Sequence, residues 1–374
     1  MKYRNSKNIL YLLTEEKVRP ARFIEIYRRN CGDIHKTLEY FFRYKKLKLN
    51  GKSEKKDTDG FNGSLYRKAV SIILQNKADL LDIGQDGYPD ILRQIYSPPL
   101  LLFYKGGKIK KSGFCVAVVG SRKCTAYGRE AAEYIGKNLS RLGITVVSGL
   151  AVGIDSSAQK AALAERGGTI GVLGCGIDII YPPENRSLYE QIIENGSIVT
   201  EFLPETPPLK SNFPVRNRII SGLCRGVVVV EAGERSGAII TSEMALKQNR
   251  EVFAVPGSIF NPMSRGCHRL IKSGAKLAES IDDILEEFSQ YQEQTLKACK
   301  NSDYDNSDVR SKQVRELTGD KLKAYEFIGH RPKSIEEIVK YTGLELKEAL
   351  RALASLEIKQ LIKEDSFNKY SRLF

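Results

Sequence analysis

The densest group of ligand-gripping side chains lies in Lys210-Ser-Asn-Phe213-Pro-Val-Arg216-Asn217-Arg218-Ile-Ile-Ser221-Gly222. Two arginines flank an asparagine, shortly after the prolines at 204, 207 and 208. Pro214 suits the first turn of a helix. That places Arg216, Asn217 and Arg218 near a helix N-terminus, where the dipole and the guanidinium groups can share one phosphate. Phe213 is positioned to stack a base. Cations that grip a backbone beside an aromatic platform are the physical recipe for single-strand binding. The same pattern also fits a packed Phe213, with the arginines paired to Glu201 or Glu231.

Two further loops carry phosphate chemistry. Val116-Ala-Val-Val119 runs into Gly120-Ser121-Arg122, and Ile144-Thr-Val-Val147 runs into Ser148-Gly149-Leu-Ala-Val-Gly-Ile-Asp155. A glycine at a strand end admits close approach of a ligand, and free N–H groups at the next helix start favour an anion. Arg122 adds a planar cationic fork. Neither loop has the dinucleotide fingerprint or the P-loop pattern. In Val227-Val-Val-Val-Glu231-Ala-Gly-Glu-Arg-Ser236-Gly237, Ser236 and Gly237 offer hydroxyl and N–H donors. Glu231 could accept from a base or ribose, or neutralise Arg218. Gly174-Cys-Gly-Ile-Asp178 with Tyr181-Pro182 is a third strand end, better explained as structural. No hydrolytic triad, metal set or paired-acid site can be assembled, and His35, His268 and His330 lie in separate regions. No cofactor is implied.

Positioning these groups requires a parallel sheet. Strands are expected at 116–119, 144–147, 169–173, 197–200, 226–231, 251–255 and 275–278, with helices at 127–142, 155–166, 186–195, 214–223, 238–248 and 281–290. The alternation is that of a doubly wound α/β sheet, whose ligands sit at the carboxyl ends of its strands. A further strand is expected at 100–104, after an ordered connector at 87–99.

The 374 residues allow two or three domains, and the net charge of +14 suits a polyanion. Residues 1–75 hold eighteen Lys and Arg against eight Asp and Glu, so most of the surplus is N-terminal. Four helices are expected there, at 5–13, 20–29, 34–44 and 64–75, with a basic loop at 43–56 that either touches nucleic acid or is simply solvated. Seven scattered cysteines without C-x-x-C fit a reducing cytoplasm, and no signal peptide or membrane span is evident.

Residues 290–312 read as a polar linker. Beyond them, Ser334 with Glu337 has capping-box spacing, Gly343 turns the chain, and Glu345–Leu356 should bury Leu346, Ala349, Leu350, Leu353 and Leu356. With two wing strands at 358–363 and 370–374, this resembles a winged helix-turn-helix. The outward face of its second helix, with Lys347, Glu348, Arg351 and Ser355, is only weakly basic.

Taken in order, Gly120-Ser-Arg122, Ser148-Gly-Leu-Ala-Val-Gly-Ile-Asp155, Gly174-Cys-Gly-Ile-Asp178, Phe213-Pro-Val-Arg-Asn-Arg-Ile-Ile-Ser-Gly222, Ser236-Gly-Ala238 and Val252-Phe-Ala-Val-Pro-Gly257 resemble the DNA-processing protein A (DprA/Smf) family. The resemblance is strongest over 87–285. It implies an extended Rossmann-like domain at 87–289, flanked by a helical SAM/HhH-like module at 1–86 and a winged-helix-like module at 313–374. It further implies a cytoplasmic, non-enzymatic mediator of natural transformation and recombination. Such a protein protects incoming single-stranded DNA, helps load RecA and forms a homodimer; duplex DNA is a further partner open to the C-terminal module. The implied DNA-binding residues are Gly120, Ser121, Arg122, Gly149, Lys210, Phe213, Arg216, Asn217, Arg218, Ser221, Gly222, Ser236 and Gly237. Two positions depart from the family pattern: Asn249 replaces a glycine and His268 an asparagine. Two rival readings remain: a phosphoribohydrolase-like enzyme using Glu231 or Glu243, and a nucleotide-sensing regulator that binds duplex DNA.

Overall fold

The computed structural model describes residues 4–44, 63–107, 113–288, 317–329, 333–359, 361–365 and 369–372. Most of the basic loop at 43–56, the linker at 290–312 and His330 lie outside these residues. The chain forms two compact units, residues 1–292 and 293–374.

The first unit is built on a nine-stranded sheet of order β1-β2-β6-β5-β4-β3-β7-β8-β9. Its strands are β1 (Asp79–Asp82), β2 (Leu101–Gly106), β3 (Cys115–Val119), β4 (Thr145–Ser148), β5 (Thr169–Val172), β6 (Ser197–Thr200), β7 (Gly226–Val229), β8 (Glu251–Ala254) and β9 (Lys276–Leu277). From β6 to β9 every pairing is parallel, with Val116 opposite Val146 and Ala117 opposite Val227. The apolar runs of β3, β4 and β7 are buried on both faces, which is why they lack alternation. The doubly wound α/β expectation therefore holds, with one addition. β1 and β2 extend the sheet antiparallel beyond β6. Asp79-Leu-Leu-Asp82 is too short and too polar to announce itself as a strand.

Alternate residues of the strands feed two cores. Val116, Val118 and Val146 pack against α6 (Ala126–Arg141), α7 (Ile154–Leu163) and α12 (Ile281–Glu286). Ala117, Val119 and Val147 face α8 (Arg186–Asn195), α9 (Asn212–Gly222), α10 (Gly237–Lys247) and α11 (Arg265–Lys272). The N-terminal helices α1 (Arg4–Thr14), α2 (Pro20–Arg29), α3 (Ile34–Tyr44) and α4 (Ser64–Gln75) share that second core through Leu10, Phe23, Phe41 and Tyr66, as does the short α5 (Asp90–Arg93) through Leu92. Each such side chain contributes about 1.5–3 kcal/mol by leaving water.

After β3 the chain winds outward through β4, β5 and β6, then returns to lay β7 on the other side of β3. The switch point thus falls at β3, whose carboxyl end carries Gly120-Ser121-Arg122.

The second unit has helices Asp320–Phe327, Ile335–Thr342 and Leu346–Ile358, and a three-stranded antiparallel sheet of Lys333–Ser334, Lys369–Arg372 and Ile362–Asp365. The Ser334–Glu337 capping box forms, and Gly343 closes that helix at φ +68°. Ala349, Leu353 and Leu356 are buried as expected, but Leu346 and Leu350 are about half exposed, at 56% and 45%. The buried stripe runs through Ala349, Ala352, Leu353 and Leu356; Leu346 precedes it by a turn and Leu350 lies on its flank.

Candidate nucleic-acid interface

Three loops meet at the carboxyl edge of the central strands, after β3, β4 and β5, and α9 plants its first turns among them. The loop after β3 is tied to the one after β7. The Ser121 N–H donates to the Glu231 carbonyl at 2.7 Å, and the Ser121 hydroxyl lies 3.5 Å from the Met263 sulfur. Glu231 itself is buried. Its carboxylate accepts from the Thr125 N–H at 2.8 Å, the Thr125 hydroxyl at 2.7 Å and the Asn261 amide at 3.0 Å. Thr125 caps α6. Glu231 therefore braces the loop from behind. It neither faces a ligand nor neutralises Arg218, because its oxygens are taken by backbone and side-chain donors.

Arg216 is the hub of the site. It is buried, and its Nη1 donates to the Gly149 carbonyl at 2.8 Å and to the Val172 carbonyl. Its Nε donates to Asn217 Oδ1 at 3.1 Å. Gly149 has no room for a side chain, since a Cβ there would stand 2.6 Å from the guanidinium. Behind it, the Gly149 N–H donates to the buried Asp155 carboxylate at 3.0 Å. Burial pushes the Arg216 pKa down to about 10, while Asp155 opposes the shift and Arg122 adds to it. Burial likewise raises Asp155, with Arg216 pulling it back. Arg216 thus ties α9 to the loop after β4 and to the end of β5 through their carbonyls. It is buried, and its Nη1 and Nε donate inside the fold, so its first role here is to brace the site.

Phe213 lies above this hub, half buried. The Arg122 guanidinium carbon is 5.2 Å from the ring centroid and that of Arg216 is 5.8 Å away. The Tyr181 ring stands 5.6 Å off, tilted by 39°. Gly174 forms the floor, where a Cβ would come within 2.9 Å of the ring. The Gly174–Tyr181 stretch, which reads as structural in the sequence, therefore belongs to the seat of Phe213. Arg122 is exposed, and no carboxylate among the described residues pairs with it. Lys210 is exposed on the loop leading into α9.

Arg218 is committed elsewhere. Its two terminal nitrogens reach the two oxygens of Glu201 at 2.7 and 2.5 Å, in a largely buried fork. The Glu201 alternative is thus the one realised, and Arg218 is not available to a phosphate as expected. Asn217 is buried and donates to the Gly237 carbonyl at 3.3 Å, linking α9 to the start of α10. Ser236 caps α10, its oxygen accepting from the Ala238 N–H at 3.3 Å, while Gly237 is exposed. Ser221 donates back to the Asn217 carbonyl at 3.2 Å. Gly222 faces Leu92 and Ile95, away from the other site residues. Both sit inside α9 packing, so neither presents a group to a ligand.

The two departures settle locally. Asn249 adopts φ +55°, a left-handed conformation that asparagine tolerates. His268 Nε2 sits 3.1 Å from the Gly257 carbonyl, giving the loop after β8 a polar contact from that position.

The model of the DNA recombination-mediator protein A family matches residues 79–289, which span the sheet and every residue of this site. The chain belongs to this family. DNA processing protein DprA of Streptococcus pneumoniae is 49% identical over 206 residues, covering 55% of this chain and 73% of the relative. The X-ray structure of DprA from that species superposes with a TM-score of 0.61 at 37% identity, over 77% of this chain and 98% of that one. DNA processing protein A from Helicobacter pylori, whose structure is described for its single-stranded DNA binding mode, gives a TM-score of 0.52 at 27% identity, over 57% of this chain and 96% of that one. Among the described residues no cluster of His, Cys, Asp or Glu could hold a metal, and no helix is long and apolar enough to cross a membrane.

Proposed function

We propose that this chain binds single-stranded DNA at the Phe213 seat and serves as a recombination mediator in natural transformation. In this role it shields incoming strands and assists loading of RecA. The observation that carries the reading is the half-buried Phe213 ring, flanked by the exposed Arg122 and backed by the buried Arg216. A base stacks on the ring while phosphates follow Arg122, Lys210 and the Ser236–Gly237 helix start. Backbone contacts dominate, so affinity falls steeply with salt and varies little with sequence. The single-stranded DNA binding named for the Helicobacter relative supports the same reading.

The division of labour proposed here gives DNA holding to residues 87–289. The N-terminal helical module then supplies most of the basic surplus. The helix and strand order of 320–372 supports a winged-helix-like role for 313–374, with duplex DNA as its further partner. The protein acts as a cytoplasmic homodimer without a cofactor. An enzymatic rival based on Glu231 lacks support, because that carboxylate is engaged by Thr125 and Asn261.

The test is fluorescence anisotropy with labelled oligo-dT and a matching duplex, across a salt series. Tighter single-strand binding that weakens with salt supports the proposal. Absence of single-strand binding at low salt overturns it.

A further inference from the structure

The loop after β8 presents two large apolar side chains to solvent. Ile259 is 75% exposed and Phe260 is 88% exposed. Burying either would be favourable, so leaving both in water calls for an occupant. The loop is held firmly. Tyr127 donates to the Pro256 carbonyl at 2.7 Å, and His268 contacts the Gly257 carbonyl at 3.1 Å. The Phe260 N–H donates to the Ser258 hydroxyl at 3.3 Å, and Asn261 accepts from the Met263 N–H at 2.9 Å while its amide donates to Glu231. A stacking residue must be held in place in this way before its ligand arrives.

Its position is equally telling. The loop leaves the carboxyl end of β8, the same sheet edge as the Phe213 seat. Met263, three residues after Phe260, meets the hydroxyl of Ser121, and the next residue is Arg122 at the Phe213 ring. The backbones of 232 and 263 are also joined, with the Ala232 N–H on the Met263 carbonyl at 2.8 Å, and Arg235 is exposed three residues along that segment. Arg265 is exposed at the loop's other end. Glu234 is an exposed carboxylate on the same segment as Arg235, with Arg269 reaching its carbonyl at 3.3 Å, and the exposed Glu279 acts on Tyr127 at the base of the loop. Two exposed arginines, Arg235 and Arg265, thus lie on chain segments joined to this loop, together with the exposed Glu234. That composition suits an aromatic face with a phosphate-bearing backbone, and suits a wholly apolar protein partner poorly.

We infer that Phe260, supported by Ile259, is a second stacking platform on which the strand continues from the Phe213 seat past Arg122. This rests on the single-strand reading above and extends its track. The chain contains no tryptophan, so a Phe260→Trp variant reports from this position alone. Titration with oligo-dT of about 20 nucleotides, longer than the ~4–16 that one groove covers, should quench its emission as anisotropy of the labelled strand saturates. Phe260→Ala should weaken that oligonucleotide about tenfold, and leave a short one of about 6 nucleotides within roughly twofold. Unchanged tryptophan emission at saturating DNA overturns the inference while the Phe213 site stands. An emission shift that follows protein concentration without DNA also overturns it, assigning the tip to a second copy. Failure of the unsubstituted chain to bind either oligonucleotide removes the reading beneath it.

Discussion

Arg216 fills the space that a side chain at residue 149 would need. Its Nη1 donates to the Gly149 carbonyl at 2.8 Å, and a Cβ on Gly149 would lie 2.6 Å from the guanidinium. Gly149→Ala should therefore displace the hub and cost about 1–3 kcal/mol as an overpacked substitution. Arg216→Ala should cost more, about 3–5 kcal/mol, because it leaves the buried Asp155 without its compensating charge. Urea denaturation of both variants checks the order. Equal and negligible losses would show that Arg216 does not hold the loops.

Arg122 and Arg218 should separate by readout. Arg122 is exposed, whereas Arg218 is forked onto Glu201. Arg122→Ala should lower single-strand affinity and reduce the slope of log K against log salt by about 0.7, the value for one phosphate contact. Arg218→Ala should leave that slope unchanged and lower the urea midpoint instead. Salt titrations of both variants decide the matter, and a slope change for Arg218 alone would reverse the assignment.

Much of this arrangement was legible in the sequence, but not the choice between those arginines. Strand runs such as Val116–Val119 announce the sheet through unbroken β-branched residues, and Gly120-Ser-Arg122 marks its ligand edge. Arg216 and Arg218 are two residues apart, so they leave a helix in different directions. Their partners, Gly149 and Glu201, are distant in sequence and carry no local mark. Asp155 was visible only as part of a motif, and its burial depends on α7 closing over β4. The helix at 265–272 carries Cys267, Leu270 and Ile271 at helical spacing, but over barely two turns, too short a repeat to mark a helix in the sequence. Phe260 gave no signal at all. Exposure is a property of the folded loop, not of the residue type.

Phe213→Ala should remove the stacking contribution of one base, about 1–3 kcal/mol of binding free energy. The loss should persist at high salt, since stacking is not screened as phosphate contacts are. Phe213→Tyr keeps a π-face beside Arg122 and should retain most of the affinity. Anisotropy titrations at two salt concentrations check this. A loss that vanishes at high salt would mean that Phe213 only positions Arg122.

Asp82 ties the N-terminal helices to the sheet and should set an acid-side pH dependence. It ends β1, fully buried, with the Ser6 hydroxyl donating to Oδ2 at 2.5 Å and the Gly84 N–H to Oδ1 at 3.0 Å. Burial raises its pKa above the ordinary 3.8, and these hydrogen bonds pull it only part of the way back. A carboxyl whose folded pKa is raised binds its proton more tightly when folded. Its contribution to stability is thus fully present below pH 3.8 and is lost as pH rises through the raised value. Asp82→Asn keeps the shape of the group and does not titrate. Urea midpoints of the unsubstituted chain and the variant, compared from about pH 3 to 7, should diverge on the way up, with the unsubstituted chain losing ground to Asp82→Asn. A constant difference across that range would mean that Asp82 titrates alike in the folded and unfolded chain, and that the Ser6 and Gly84 contacts offset its burial in full.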